Sequence, residues 1–152
     1  MPGVPVAAAA AAYTAYLFAQ AKARDLWQNP LLPAHLLVQA AVAGAAALLL
    51  AAAGWQPHAV IALGWVLAGS CLAHLLLTAG EITIGHPTEH ARLAVHAMVG
   101  GAFARVFWAG FLLVAAGIAA PLAGAWVAPL ALAGLALHEH AYVQAGQSVP
   151  LA

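Results

Sequence analysis

Residues 59–80 read AVIALGWVLAGSCLAHLLLTAG, and the residue that follows is Glu81. The run holds no Lys, Arg, Asp or Glu across 22 residues. At about 1.5 Å of rise per residue a helix of that length reaches about 33 Å, enough to cross a hydrocarbon core of about 30 Å. A soluble helix carries a polar face, and this one has none, so its medium is lipid.

Working outward, windows of about 20 residues find four further apolar segments, at 4–21, 33–53, 102–120 and 122–142. The 152-residue chain has only four Lys or Arg and four Asp or Glu, is 66% hydrophobic and carries no formal net charge. With a mean hydropathy of +0.96 it has too little polar surface to coat a water-exposed globule. The expected fold is all-α, an integral membrane bundle of about five transmembrane helices, with residues 1–152 forming one unit. The first segment is the least apolar because residues 7–12 are all alanine. A signal peptide would need a basic n-region, which the sequence lacks. Zero net charge with no basic cluster excludes nucleic acid as a partner. Cys71 is the single cysteine, so the chain builds neither an internal disulfide nor a cysteine-ligated cluster.

The connectors set the topology. Lys22, Arg24 and Asp25 lie between the first two segments, with Trp27 and Pro30 after them. The second and third segments are joined by Trp55, Gln56, Pro57 and His58, without fixed charge. Residues 86–99 open with His86, Pro87 and Thr88, a potential N-cap, and read as an interfacial connector that Gly100 and Gly101 terminate. Arg92 and Arg105 fall in or near this third connector. The positive-inside rule places the first and third connectors and the carboxyl terminus in the cytoplasm. Gly44, Gly64, Gly110 and Gly117 permit close helix contact.

Chemistry must come from the few polar groups. Glu81 ends an apolar stretch, where a carboxylate costs free energy unless it is paired, hydrated or protonated. Arg105, in the first turn of the next segment, is its expected partner. Glu81 reads as a proton-transfer carboxylate or, equally, as a helix-end residue reaching headgroup water in a structural ion pair. Arg24 and Asp25 are adjacent, so they diverge and find different partners; they form either the mouth of a proton path or a positive-inside anchor. His74 lies seven residues before Glu81, two helical turns, so both share one stripe of the helix, as a relay requires. His138 and His140, two residues apart, point about 200° apart and do not chelate one metal together. No metal site is expected. A b-type haem would need two axial histidines on facing helices, with His74 and either His96 or His138 as the pairing.

The order Tyr13-Thr14-Ala15-Tyr16-Leu17, Ala23-Arg24-Asp25-Leu26-Trp27 and Asn29-Pro30-Leu31-Leu32-Pro33 resembles the polysulfide-reductase membrane-subunit family, often called NrfD-like. Glu81 at a helix end, Phe107-Trp108-Ala109-Gly110 opening the next helix, and Gly146-Gln147-Ser148-Val149-Pro150 near the end agree with it. The resemblance implies a quinone-reactive membrane anchor of about eight helices in two bundles, in the bacterial cytoplasmic (inner) membrane. It implies menaquinone or ubiquinone as the redox partner molecule, with iron-sulfur and molybdopterin groups held by a ferredoxin-like subunit and a catalytic subunit. The five segments here correspond to the fourth through eighth helices, so an amino-terminal half is expected to be missing, through fragmentation or a late start. No quinone-binding residue carries over. The second bundle's proton-conducting role carries over to Arg24, Asp25 and Glu81, and Arg105 and His74 join them by depth and stripe.

The expected function is therefore a membrane-anchor subunit, itself non-catalytic, supporting electron exchange with quinone and proton movement. The rivals are an anchoring or assembly subunit without a redox role and a small haem protein built on His74.

Overall fold

Long Ala, Leu and Val runs fold as helices wherever proline is confined to a first turn, where its missing N–H costs nothing. The computed structural model describes residues 3–22 and 24–150. The helices are α1 (Gly3–Ala19), α2 (Leu32–Trp55), α3 (Val60–Thr83), α4 (Glu89–Val99), α5 (Ala104–Ala116), α6 (Ala120–Ala123) and α7 (Ala128–Ser148). Short 3₁₀ turns at Asp25–Gln28, Pro57–Ala59, Gly117–Ala119 and Gly124–Val127 join them. Pro33, Pro57, Pro121 and Pro129 each stand in the first turn of an element. Among the described residues there is no strand.

Three stretches are long and apolar enough to cross a membrane: Leu32–Trp55, Pro57–Thr83 and Ala104–Ser148, with α1 a shorter apolar helix. The third has 45 residues, about 67 Å if straight, more than twice a bilayer core. It is folded back on itself at Gly124, whose φ of +66° belongs to the left-handed region. This turn moves the start of the last helix to Ala128, later than the expected 122, and the helix then runs on to Ser148. Residues 86–99 contain α4, and Thr88 caps it as expected, its Oγ1 accepting from the Ala91 amide at 3.2 Å.

The hairpin is closed by backbone proximity. A Cβ on Gly110 would stand 2.8 Å from the Gly134 carbonyl oxygen, and one on Gly117 would stand 3.1 Å from the Ala131 Cβ. The numbers fall on α7 as they rise on α5, so the two helices are antiparallel. Gly64 similarly seats α3 against Ala120 and Pro121. Gly44 differs from expectation: nothing lies within 4 Å of where its Cβ would be. Gly134 and Gly146 take its place as packing glycines, the latter seating the Trp27 indole.

Two apolar clusters stack along the bundle. Leu26, Trp27, Leu32, Met98, Phe107 and Tyr142 belong to one. Val42, Leu49, Leu67, Cys71, Val114 and Ala128 belong to the other. Between them lies a buried polar layer of His35, Gln39, His74, Thr78 and His138, with Glu81 at its edge. Large apolar side chains such as Ile61, Trp65, Leu76, Leu112 and Leu122 face outward, the surface a lipid-solvated bundle presents. Trp55 and Trp126, both exposed, mark the end opposite the first and third connectors, at a depth suited to an aromatic belt.

Replacing Gly134 by Ala forces a methyl within 2.6 Å of the Val114 amide nitrogen. The expected cost is about 1–3 kcal/mol, seen as a lower melting temperature in detergent, while Gly44→Ala leaves it unchanged. Equal melting of both variants would contradict the packing.

Candidate functional site

The polar layer is assembled from three helices. His35 and Gln39 are the only polar side chains in 33–53 and, four apart, share one face of α2. On α3, His74, Thr78 and Glu81 occupy one stripe. His138 comes from α7. Exposure is 3% for His35, 1% for His74, 2% for Glu81 and 1% for His138, so all four stand away from lipid and bulk water.

Their side chains form a row in which the Glu81 Oε2 to His35 step and the His138 ring are in contact without a hydrogen bond. Asn29 Nδ2 donates to Glu81 Oε1 at 2.9 Å, and Asn29 Oδ1 accepts from the Leu31 amide, which fixes the side chain. Glu81 Oε2 stands 3.6 Å from His35 Nδ1, a few tenths of an ångström beyond hydrogen-bond length. On the other side of the same ring, His35 Nε2 and His74 Nδ1 are hydrogen-bonded at 3.0 Å, and Thr78 Oγ1 lies 3.4 Å away. The His138 ring meets His74 edge-on, with centroids 4.6 Å apart, and lies 5.3 Å from His35 and 5.8 Å from Phe107. Gln39 donates through Nε2 to Glu139 Oε1.

This order fixes a tautomer pattern. With Glu81 ionised, His35 presents Nδ1–H to it, Nε2 becomes an acceptor, and His74 must donate from Nδ1. A protonated Glu81 that donates to His35 Nδ1 requires the opposite tautomers, with the hydrogen of His35 on Nε2 and His74 Nδ1 accepting, while Asn29 still donates to Oε1.

At the connector end Glu81 lines a cavity of about 530 Å³, together with Asp25, Asn29, His86 and Thr88. His86 Nε2 is bonded to the Glu81 carbonyl oxygen at 2.9 Å. Asp25 therefore turns to this cavity. Arg24 turns the other way, donating from Nη1 to the carbonyls of Gly146, Gln147 and Val149 at 3.0 to 3.1 Å. It satisfies the orphan carbonyls at the end of α7, where a cation also complements the helix dipole. Tyr142 Oη donates to the Leu26 carbonyl at 3.0 Å, a second tie between connector and α7.

Arg105 is corrected. It is exposed and makes no ion pair among the described residues, and Glu81 takes Asn29 and His35 as partners. The turn at Gly100–Gly101 starts α5 with Phe107 facing inward, which directs Arg105 outward. His140 is exposed while His138 is buried, as their spacing requires.

The structure does bring His74 and His138 together, yet the residues do not fit a haem. Their rings touch, and His35 and Phe107 pack on the same rings, so no slot remains for a macrocycle between them. His96, the other suggested ligand, is exposed. Nitrogens of His35, His74 and His138 lie within 4.8 Å of one another, a donor set an imidazole-bound ion could use. His35 Nε2 and His74 Nδ1, 3.0 Å apart, are also placed to share a hydrogen bond whose donor depends on the tautomer.

A profile of the polysulphide reductase NrfD family matches residues 2–142 of the 152. The chain belongs to that family. No curated protein and no solved structure matches it. NrfD membership, with the apolar spans, makes this a multi-pass membrane protein and implies a subunit of a quinone-interacting oxidoreductase complex.

His35, Asn29 and Gln39 were not singled out by sequence reasoning. The signal was present for α2: two polar residues four apart in an otherwise apolar span.

Arg24→Ala should lower the stability of this NrfD chain in detergent by about 2 kcal/mol, the scale of hydrogen bonds to a charged group. Arg105→Ala should leave it unchanged. Equal melting temperatures for the two variants would refute the capping role.

Proposed function

We propose that this NrfD chain is the membrane-anchor subunit of a quinone-linked molybdopterin and iron-sulfur oxidoreductase in the bacterial inner membrane, and that it moves protons. The observation that carries the reading is the buried row Glu81, His35 and His74, opening at Glu81 onto the cavity that Asp25 lines. Quinol releases two electrons and two protons when it is oxidised to quinone, and quinone takes them up when it is reduced; the electrons pass to or from the iron-sulfur subunit.

The chain's own residues handle the proton. A proton from the cavity protonates Glu81; with His35 carrying its hydrogen on Nε2, Glu81 donates to His35 Nδ1 as Nε2 passes its hydrogen to His74 Nδ1 and the outer nitrogen of His74 releases one to an acceptor beyond it, after which both rings turn over before the next proton. Each imidazole gains one proton and loses another, so no ring need stay charged in the apolar interior. Asn29 holds the carboxylate on its far oxygen, Thr78 flanks the His35–His74 bond, and Arg24 keeps the mouth in shape by anchoring the connector to α7. Arg105, facing away, has no part. The first and third connectors face the cytoplasm, and α4 lies along that surface with Ala91, Ala94, Val95 and Met98 turned inward.

In the assembled complex reconstituted into vesicles, Glu81→Gln keeps the acceptor for Asn29 but removes the ionisable group. Quinone-coupled proton movement, followed with a pH dye, should slow at least about tenfold with subunit stoichiometry unchanged, and Arg105→Ala should match wild type. A wild-type rate in the Glu81→Gln complex would remove Glu81 from the path.

A further inference from the structure

The row from Glu81 leaves two ionisable groups unused, the buried His138 and the half-buried Glu139. Both ring nitrogens of His138 are buried without a hydrogen-bond partner in the protein. An imidazole left so has lost its hydration without compensation, so a partner is required. Beside it lies a small cavity of about 10 Å³, whose lining includes His35, Gln39, His138, Glu139 and Tyr142. That is the room one water needs, and His138, Glu139 and Gln39 offer it the two to four polar partners that hold a buried water.

We propose that this cavity binds a single ordered water joining His138 to Glu139, and that the pair forms a second, α7-side limb of the proton path, with Glu139 as its acceptor. The inference rests on the reading of Glu81, His35 and His74 given above. A rotation of the edge-on His74 and His138 rings, whose centroids are 4.6 Å apart, brings them within hydrogen-bond reach, and His74 then passes a proton from its outer ring nitrogen to His138; His138 releases one from its other nitrogen to the water, and the water releases one to the Glu139 carboxylate. Every group but Glu139 ends with the protons it began with. The groups facing Glu139 are His35 and Gln39 from α2, Glu81 from α3 and Tyr142 one turn along α7. Tyr142 spends its hydroxyl hydrogen on the Leu26 carbonyl, so it bounds the limb without extending it.

The geometry separates the two carboxylates by role. Glu81 meets the open cavity, whereas Glu139, half-buried on α7, is held by Gln39. A proton on Glu139 is thus screened from the mouth by the histidine layer.

The test uses the assembled complex in vesicles, with Glu81→Gln, Glu139→Gln and His138→Phe variants. Two readouts are taken: quinone-coupled proton movement, and the infrared carboxyl band that appears when quinol is added. Glu139→Gln keeps an oxygen for Gln39 and so preserves folding. Its proton movement should fall at least tenfold, a carboxyl band should vanish, and His138→Phe should abolish or shift that band. If Glu81→Gln slows transfer while Glu139→Gln changes neither readout, the second limb is wrong and the first stands. If neither variant slows transfer, both are wrong. Should His138→Phe fail to assemble, the Glu139→Gln band alone decides. One equivalent of zinc or copper copurifying with the wild-type chain would also overturn the proposal, because His138 would then have a metal as its partner.

Discussion

A carboxylate and three imidazoles placed inside a lipid-facing bundle are tolerable only if each finds a polar partner, in the protein or in a water it holds. That requirement organises the polar layer. His35, on α2, meets it for two groups of α3 at once, turning Nδ1 to Glu81 and Nε2 to His74. Removing a partner from such a layer strands the rest, because hydrocarbon supplies no replacement donor or acceptor. The apolar clusters on either side then exclude water from a row that is nonetheless continuous with a cavity at one end.

The glycines and the Arg24 cap serve the same layer. Gly110 and Gly134 let α5 and α7 approach backbone to backbone, and Gly110 lies directly against the His138 amide. In a membrane, where lipid tails compete equally for apolar side chains, such close contact is the main source of helix affinity. Arg24 and Tyr142 then tie the first connector to α7, so that Asn29, two residues beyond Trp27, is held where Glu81 needs it.

Much of this was legible in the sequence. The helices, the Thr88 cap, the shared stripe of His74 and Glu81 and the divergence of Arg24 from Asp25 follow from spacing and composition alone. The partner of Glu81 did not, because depth along the chain placed Arg105 level with it but said nothing of which way Arg105 faces. Phe107, bulky and apolar, takes the inward position two residues later. Equally hidden was the meeting of His35 with His138, 103 positions apart in sequence (138 − 35). Such contacts depend on helix order and rotation, which a hydropathy pattern does not encode. Gly44 misled for the converse reason: a glycine in an apolar span signals packing only where another helix arrives.

The most direct measurement is the nitrogen-to-nitrogen geometry of His35 and His74, read by solid-state NMR on ¹⁵N-histidine-labelled protein in lipid bilayers, with His35→Phe assigning the signals. A shared hydrogen between His35 Nε2 and His74 Nδ1, at the 3.0 Å separation found here, is expected. Uncoupled rings, each with nitrogens exchanging freely with water or facing lipid, would contradict the buried row and with it the proton path.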